Sequence, residues 1–192
     1  MDPRVGHDRY TIRRKFFKLF GGAFHVYDPE GNVAFFADMK AFKLKEDFRL
    51  YTGEDKQAEV LSIRARQILD ISATYDVFDP TNETKAGALR RKGLKSILRD
   101  EWLILDANDQ QIGTIREDSA LLATIRRFLT NLVPQDFIGE INGQQVLRFN
   151  QHFNPFILKM DLDFSMDTGK LLDRRLGLAA AVLLCGIEGR QN

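Results

Sequence analysis

The apolar run at 176–187, LGLAAAVLLCGI, constrains this chain more than any other feature; Arg174 and Arg175 precede it and Glu188 follows it. A bilayer-spanning helix needs about 20 predominantly apolar residues. At about 1.5 Å of rise per residue, this run covers only about 18 Å. A segment apolar all round and too short to cross a membrane suits a helix buried inside protein. Its alanines and leucines are strong helix formers, and Asp173 can cap its start. The rest of the chain must then supply walls around it.

Those walls read as strands. Over 156–166, Phe156, Leu158, Met160, Leu162, Phe164 and Met166 alternate with Ile157, Lys159, Asp161, Asp163 and Ser165. Period two over that length gives a long strand with one buried face, and it puts Asp161 and Asp163 on the outer one. Segments 24–26 and 33–35 flank Asp28-Pro29-Glu30-Gly31-Asn32, in which Pro presets one dihedral and Gly supplies a positive φ. The same grammar recurs at 74–78 into 86–91, at 102–105 into 111–116, and at 138–141 through Asn142-Gly143 into 146–150. Asn-Gly between alternating runs is a strong hairpin signal. Four hairpins of similar size predict a meander. One segment departs from it: Asp118-Ser119 can cap an amphipathic helix near 119–132 whose apolar face is Leu121, Leu122, Ile125, Phe128, Leu129 and Leu132. A many-stranded antiparallel sheet removes its edges by closing into a barrel, and a hydrophobic helix can thread the interior.

Composition limits the function classes. At 192 residues, with 44% apolar and 29% charged, the chain fits one globular domain with a sizeable core. A net charge of +1 gives no global pull toward nucleic acid or membrane, so any such preference must be local. The single cysteine, Cys185, excludes an intramolecular disulfide and a multi-Cys zinc site; it suits a reducing cytoplasm and reads as a buried structural thiol. Residues 1–8 read as a short polar tail.

The segments Arg9-Tyr10-Thr11-Ile12-Arg13-Arg14-Lys15-Phe16-Phe17 and FHVYDPEGNVAFFADMKAF resemble the opening of LURP-one-related proteins. That family belongs with the Tubby C-terminal and phospholipid scramblase domains. RRKGLKSILRDEWLILD at 90–106 resembles its second basic strand and the strand after it, and DRRLGLAAAVLLCGIE resembles its central helix segment. The resemblance covers about 9–190. It implies a mainly β fold (α+β), a Tubby-like closed antiparallel barrel of about twelve strands around a buried C-terminal hydrophobic helix. It also implies a non-enzymatic binding or scaffold domain for anionic phospholipid head groups or a protein partner, cytoplasmic and peripheral at the membrane. A membrane-associated, scramblase-like protein anchored by 176–187 is the alternative. An enzyme with a site assembled from dispersed polar residues is the third.

Two basic strands are the candidate lipid- or anion-binding elements: Arg13, Arg14, Lys15 and Lys18, then Arg90, Arg91, Lys92 and Lys95, followed by Arg99. Clusters of four to eight Lys/Arg attract anionic head groups. The competing reading is a solvated strand face paired with Asp and Glu. Asp161, Asp163 and Asp167 have a loose calcium-loop look, but the Gly and bidentate Glu of an EF-hand would fall on Met166 and Leu172. No metal site is expected. His7, His25 and His152 lack metal-ligand spacing, and His25 reads as an exposed strand residue. No phosphate-cradling or nucleophile-elbow motif appears, and nothing calls for a cofactor. Trp102, Tyr75, Phe78, Phe149 and Phe153 read as core rather than as a nucleic-acid stacking platform.

Overall fold

Alternating apolar residues and turns opened by aspartate specify a meander, and an antiparallel meander can close on itself only with an even number of strands. The computed structural model describes residues 2–15, 23–39, 47–67, 73–92, 101–118, 135–152 and 157–187. It is a closed barrel of twelve antiparallel strands. The first six are β1 (Arg9–Lys15), β2 (Ala23–Tyr27), β3 (Val33–Met39), β4 (Asp47–Tyr51), β5 (Glu59–Ala65) and β6 (Thr74–Asp79). The others are β7 (Thr84–Arg91), β8 (Glu101–Leu105), β9 (Gln111–Glu117), β10 (Asp136–Ile141), β11 (Gln144–His152) and β12 (Ile157–Asp163). Each strand pairs with its neighbours in sequence, and β12 returns to β1 with Arg9 opposite Asp163 and Lys15 opposite Ile157. The expected hairpins form β2/β3, β6/β7, β8/β9 and β10/β11. The predicted helix near 119–132 lies outside the described residues, as do Lys18 and Lys95.

One end of the barrel collects the tight turns. Asp28 accepts from the Asn32 backbone N–H at 2.7 Å, Asp79 from Thr81 at 3.0 Å, and Asp106 from Asn108 at 2.9 Å. These side chains satisfy donors that a turn would otherwise leave bare. Asn142 and Gly143 both take positive φ, 51° and 77°, as a tight Asn-Gly hairpin requires. At this same end five hairpins shift register, at Val26/Tyr27, Leu50/Tyr51, Val77/Phe78, Ile104/Leu105 and Gly139/Glu140. Bulges bend strands and sharpen their twist, so this repeated device curves the wall. The residues read as a polar tail pack here as well. Pro3–Gly6 is a 3-10 turn with Val5 buried, and Arg4 Nη1 donates to the carbonyls of Ala34 and Thr52 at 3.3 Å each.

The apolar run is the plug of the barrel. Helix α1 (Arg174–Ile187) has 14 residues, about 21 Å of helix at ~1.5 Å per residue. From Leu178 to Cys185 no side chain is more than 3% exposed. Two glycines let bulky rings approach the helix backbone. A Cβ on Gly177 would stand 2.3 Å from the Phe164 ring, and one on Gly186 would stand 2.6 Å from Phe48. Around the helix, Phe24, Phe35, Phe48, Phe137, Phe149 and Phe164 complete the core. Among the described residues no helix is long and apolar enough to cross a membrane.

Candidate anion-binding surface

Strand alternation divides the first basic cluster between two faces. Tyr10, Ile12 and Arg14 point into the barrel, while Arg9, Thr11 and Arg13 point out. Arg14 therefore departs from the expected surface patch. It is 8% exposed, its guanidinium lies 5.3 Å from the Phe24 ring centroid, and Nη1 donates to the Cys185 carbonyl at 3.4 Å. The C-terminal end of a helix carries partial negative charge, which a cation there offsets. Arg14 is thus placed to hold the plug. Lys15 closes β1, and its side chain lies outside the described residues.

Arg13 gains neighbours that the linear sequence hides. It is exposed, and its guanidinium stacks 4.7 Å from the Tyr27 ring centroid. Its register partners are His25 on β2 and Lys159 on β12, and Lys159 in turn faces His152 on β11. The result is one lateral row, His152–Lys159–Arg13–His25, across four strands. Directly opposed side chains on one face have Cβ atoms about 4.5–5.5 Å apart. Neither Arg13 nor Lys159 forms an ion pair with any described residue.

Both histidines are held by carboxylates: His25 Nε2 by Glu54, and His152 Nε2 by Asp161. Asp161 also accepts from Thr11 Oγ1 at 2.7 Å. Burial pushes the Asp161 carboxyl up, but the His152 and Thr11 hydrogen bonds and the nearby Lys159 charge outweigh it and hold it below the ordinary value. Thr11 and His152 engage the carboxylate rather than each other, so the trio braces β1, β12 and β11 sideways.

The second basic cluster is built differently. Arg90 points outward, and its Nε donates to Thr74 Oγ1 at 3.1 Å. Arg91 shares the inner face with Leu89 and stands opposite buried Trp102. Lys92 is ion-paired with Glu101 at 2.7 Å. β7 is also six strands from β1 in either direction, roughly 29 Å along the wall at ~4.8 Å per strand. The two basic strands do not merge into one wall patch.

The acidic candidates are likewise dispersed. Asp163 accepts from Arg9 Nε at 3.1 Å and from the Ser165 backbone N–H at 2.7 Å. Asp167, whose side chain is fully buried, accepts from the Leu171 and Leu172 backbone N–H groups and from Arg174 Nη1 at 2.9 Å. These oxygens fix the connection from β12 into α1. Among the described residues, no group of three His, Cys, Asp or Glu side chains is placed to hold a metal ion.

Lys159, His152 and His25 are the row members that cluster-based reading of the sequence leaves out. The outward position of Lys159 is visible in the 156–166 alternation, but its proximity to Arg13 depends on closure of the barrel. Comparison with protein-family models, with curated proteins and with solved structures finds no match to this chain.

Proposed function

We propose that this chain is a LURP-one-related, Tubby-like binding domain that does no covalent chemistry. Its ligand is an anionic, phosphate-bearing phospholipid head group at a cytoplasmic membrane surface, held on the outer wall of β11, β12, β1 and β2. One observation carries this reading: Arg13 and Lys159 stand directly opposite each other with no ion pair to a described residue. Like charges directly opposed across strands are destabilising. In a chain with 28 Lys and Arg against 27 Asp and Glu, counter-charges are plentiful, and most other wall cations have one. An anion between the two cations would turn that repulsion into attraction. The Tyr27 ring under Arg13 supports the side chain without neutralising it.

Vesicle co-sedimentation at low salt tests the proposal, with phosphatidylserine or phosphoinositide vesicles against neutral phosphatidylcholine. Two cations at about 1 kcal/mol each near the surface amount to ~2 kcal/mol, roughly 30-fold in affinity. The expected result is pelleting with anionic vesicles that falls by that factor in R13A/K159A and is unchanged in K92A, whose lysine already has a partner. No lipid-dependent pelleting of the wild-type chain removes the membrane reading and leaves a protein partner.

A further inference from the structure

The lateral row on the outer wall does not end at His25. His25 stands opposite Phe36 on β3, and Phe36 stands opposite Tyr51 on β4, so one line of side chains continues onto two further strands. Its basic part is His152, Lys159, Arg13 and His25; its aromatic part is Phe36 and Tyr51. The His25 and Phe36 rings meet edge to face at 5.4 Å, which joins the two parts.

Side chains on the outer wall of a closed barrel ordinarily meet solvent, yet Phe36 is 8% and Tyr51 9% exposed. The loop from β4 to β5, residues 52–58, brings Lys56 Nζ to 5.8 Å from both ring centroids. Two ion pairs fasten that loop to the wall, Lys56 to Asp38 on β3 and Glu54 to His25 on β2. Its base is closed by the Thr52 N–H donating to the Ala58 carbonyl at 2.9 Å. With the sequence TGEDKQA, the loop offers the rings no large apolar side chain. The Glu54 side chain is 71% exposed and that of Lys56 42%. Ion pairs so exposed contribute little and yield to competing charge. Glu54 is thus the chain's own anion, weakly held at the end of a cationic row.

We propose, resting on the membrane reading of that row, that the 52–58 loop is an autoinhibitory strap. In the free protein Glu54 holds His25, and Lys56 covers Phe36 and Tyr51. An anionic membrane surface repels Glu54 and supplies lipid phosphates to Arg13 and His25 in its place. The loop then leaves the wall, and both rings enter the lipid interface, a level that tyrosine favours. A free phosphate would engage only the basic part of the row. A lipid surface, with anionic head groups above apolar chains, matches both parts.

Co-sedimentation of the intact chain with phosphatidylserine vesicles at low salt tests the strap. Glu54→Gln keeps the side-chain length, removes the internal anion, and is expected to raise vesicle affinity roughly 5-fold. Asp55→Asn removes the same charge from the next residue, whose carboxylate reaches only the Gln57 N–H of its own loop, and is expected to change affinity less than about 2-fold. Lys56→Gln is the sharper variant. Losing a cation should weaken binding to an anionic surface, whereas unfastening the strap should strengthen it, up to roughly 5-fold for one exposed pair. A gain is expected. Tyr51→Ala on the Lys56→Gln background should cancel that gain, with circular dichroism confirming the fold; Phe36→Ala replaces it if Tyr51→Ala misfolds. An unchanged Glu54→Gln, an equal gain in Asp55→Asn, a loss in Lys56→Gln, or a gain that survives removal of the ring overturns the strap. If wild type pellets in those cases, the membrane reading stands without it. If neither wild type nor Glu54→Gln pellets, both fall.

Discussion

The two ends of α1 are held by different chemistry. At its start, Asp167 takes two backbone N–H groups and Arg174, and Asp173 caps the helix by accepting from the Arg175 N–H at 2.9 Å. Arg175 also reaches Asp79 at 3.4 Å, tying the helix to the β6/β7 turn. At its finish, a cation from β1 meets a backbone carbonyl, Arg14 to Cys185. The first end is a network of charge pairs within tight turns. Among the described residues, the second offsets the helix dipole with the inward Arg14. Ion pairs and capping hydrogen bonds among the described residues thus gather at the start of the plug, and its finish meets the inward Arg14.

The sharpest way to break that contrast is to remove one anchor from each end. Asp167→Ala leaves Arg174 with only the exposed Asp8 as counter-charge and strips the acceptor from two backbone donors. Breaking a buried charge pair from one side costs about 3–5 kcal/mol. Arg14→Met keeps the stem packed against Phe24 and loses an interaction with the helix end worth up to ~2 kcal/mol. Urea unfolding followed by circular dichroism should rank D167A well below R14M. Equal losses would mean that the two ends are equally anchored.

How much of this was legible in sequence depends on which neighbours a residue needs. The plug, the hairpins and their turns rest on residues close in the chain, and 156–166, 28–32 and Asn142-Gly143 announced them. β4 and β5 were not marked out. On β3, Ala34, Phe35, Phe36 and Ala37 are all buried, and on β4 Tyr51 is buried on the outer face. Lys56 of the following loop lies 5.8 Å from both the Phe36 and Tyr51 rings. Covering the outer face in this way erases the alternation that would reveal a strand. The basic clusters show the opposite failure. Counting charges put Arg13 with Arg14, and Arg90 with Arg91, although period two assigns each pair to opposite faces. The row through Lys159 depends on β1 meeting β12, which no local pattern encodes.

The glycines of α1 sharpen the contrast on a smaller scale. At Gly177 an added Cβ falls 2.3 and 2.4 Å from two atoms of the Phe164 ring, which is fully buried. At Gly186 the nearest Phe48 atoms are 2.6 and 3.1 Å away. Overpacking costs about 1–3 kcal/mol, against up to ~1 kcal/mol gained in helix propensity on replacing Gly by Ala. Gly177→Ala should therefore destabilise by about 1–2 kcal/mol, and Gly186→Ala by less than ~1 kcal/mol, in the same urea assay. A larger loss at Gly186 would place the tighter packing at the distal end.

The smallest expected effect separates the two ends by pH. Burial pushes the Asp79 carboxyl up, but the Thr81 hydrogen bonds and the Arg175 charge hold it below its ordinary value of 3.8. A carboxylate depressed in the folded state stabilises it above the unfolded pKa, and that contribution is lost as pH falls. At the other end, burial pushes the Cys185 thiol from 9.0 up to about 12, with Arg14 opposing it. A group raised in the folded state stabilises it below the unfolded pKa and loses that contribution as pH rises, here from about pH 9 upward. Tyr10, near the tight-turn end, is also raised by burial, but from an ordinary value of 10.0, so the first alkaline loss belongs to Cys185. Tm measured from pH 2 to 11 should fall below about pH 4 and again above about pH 9. Asp79→Asn should lessen the acid-side loss only in part, because Asp161 and Asp163 are held below their ordinary values as well, and it should leave the alkaline side unchanged. Cys185→Ala should alter the onset of the alkaline side only. If Cys185→Ala leaves that onset unchanged, the thiol at the distal end of the plug is not what fails there.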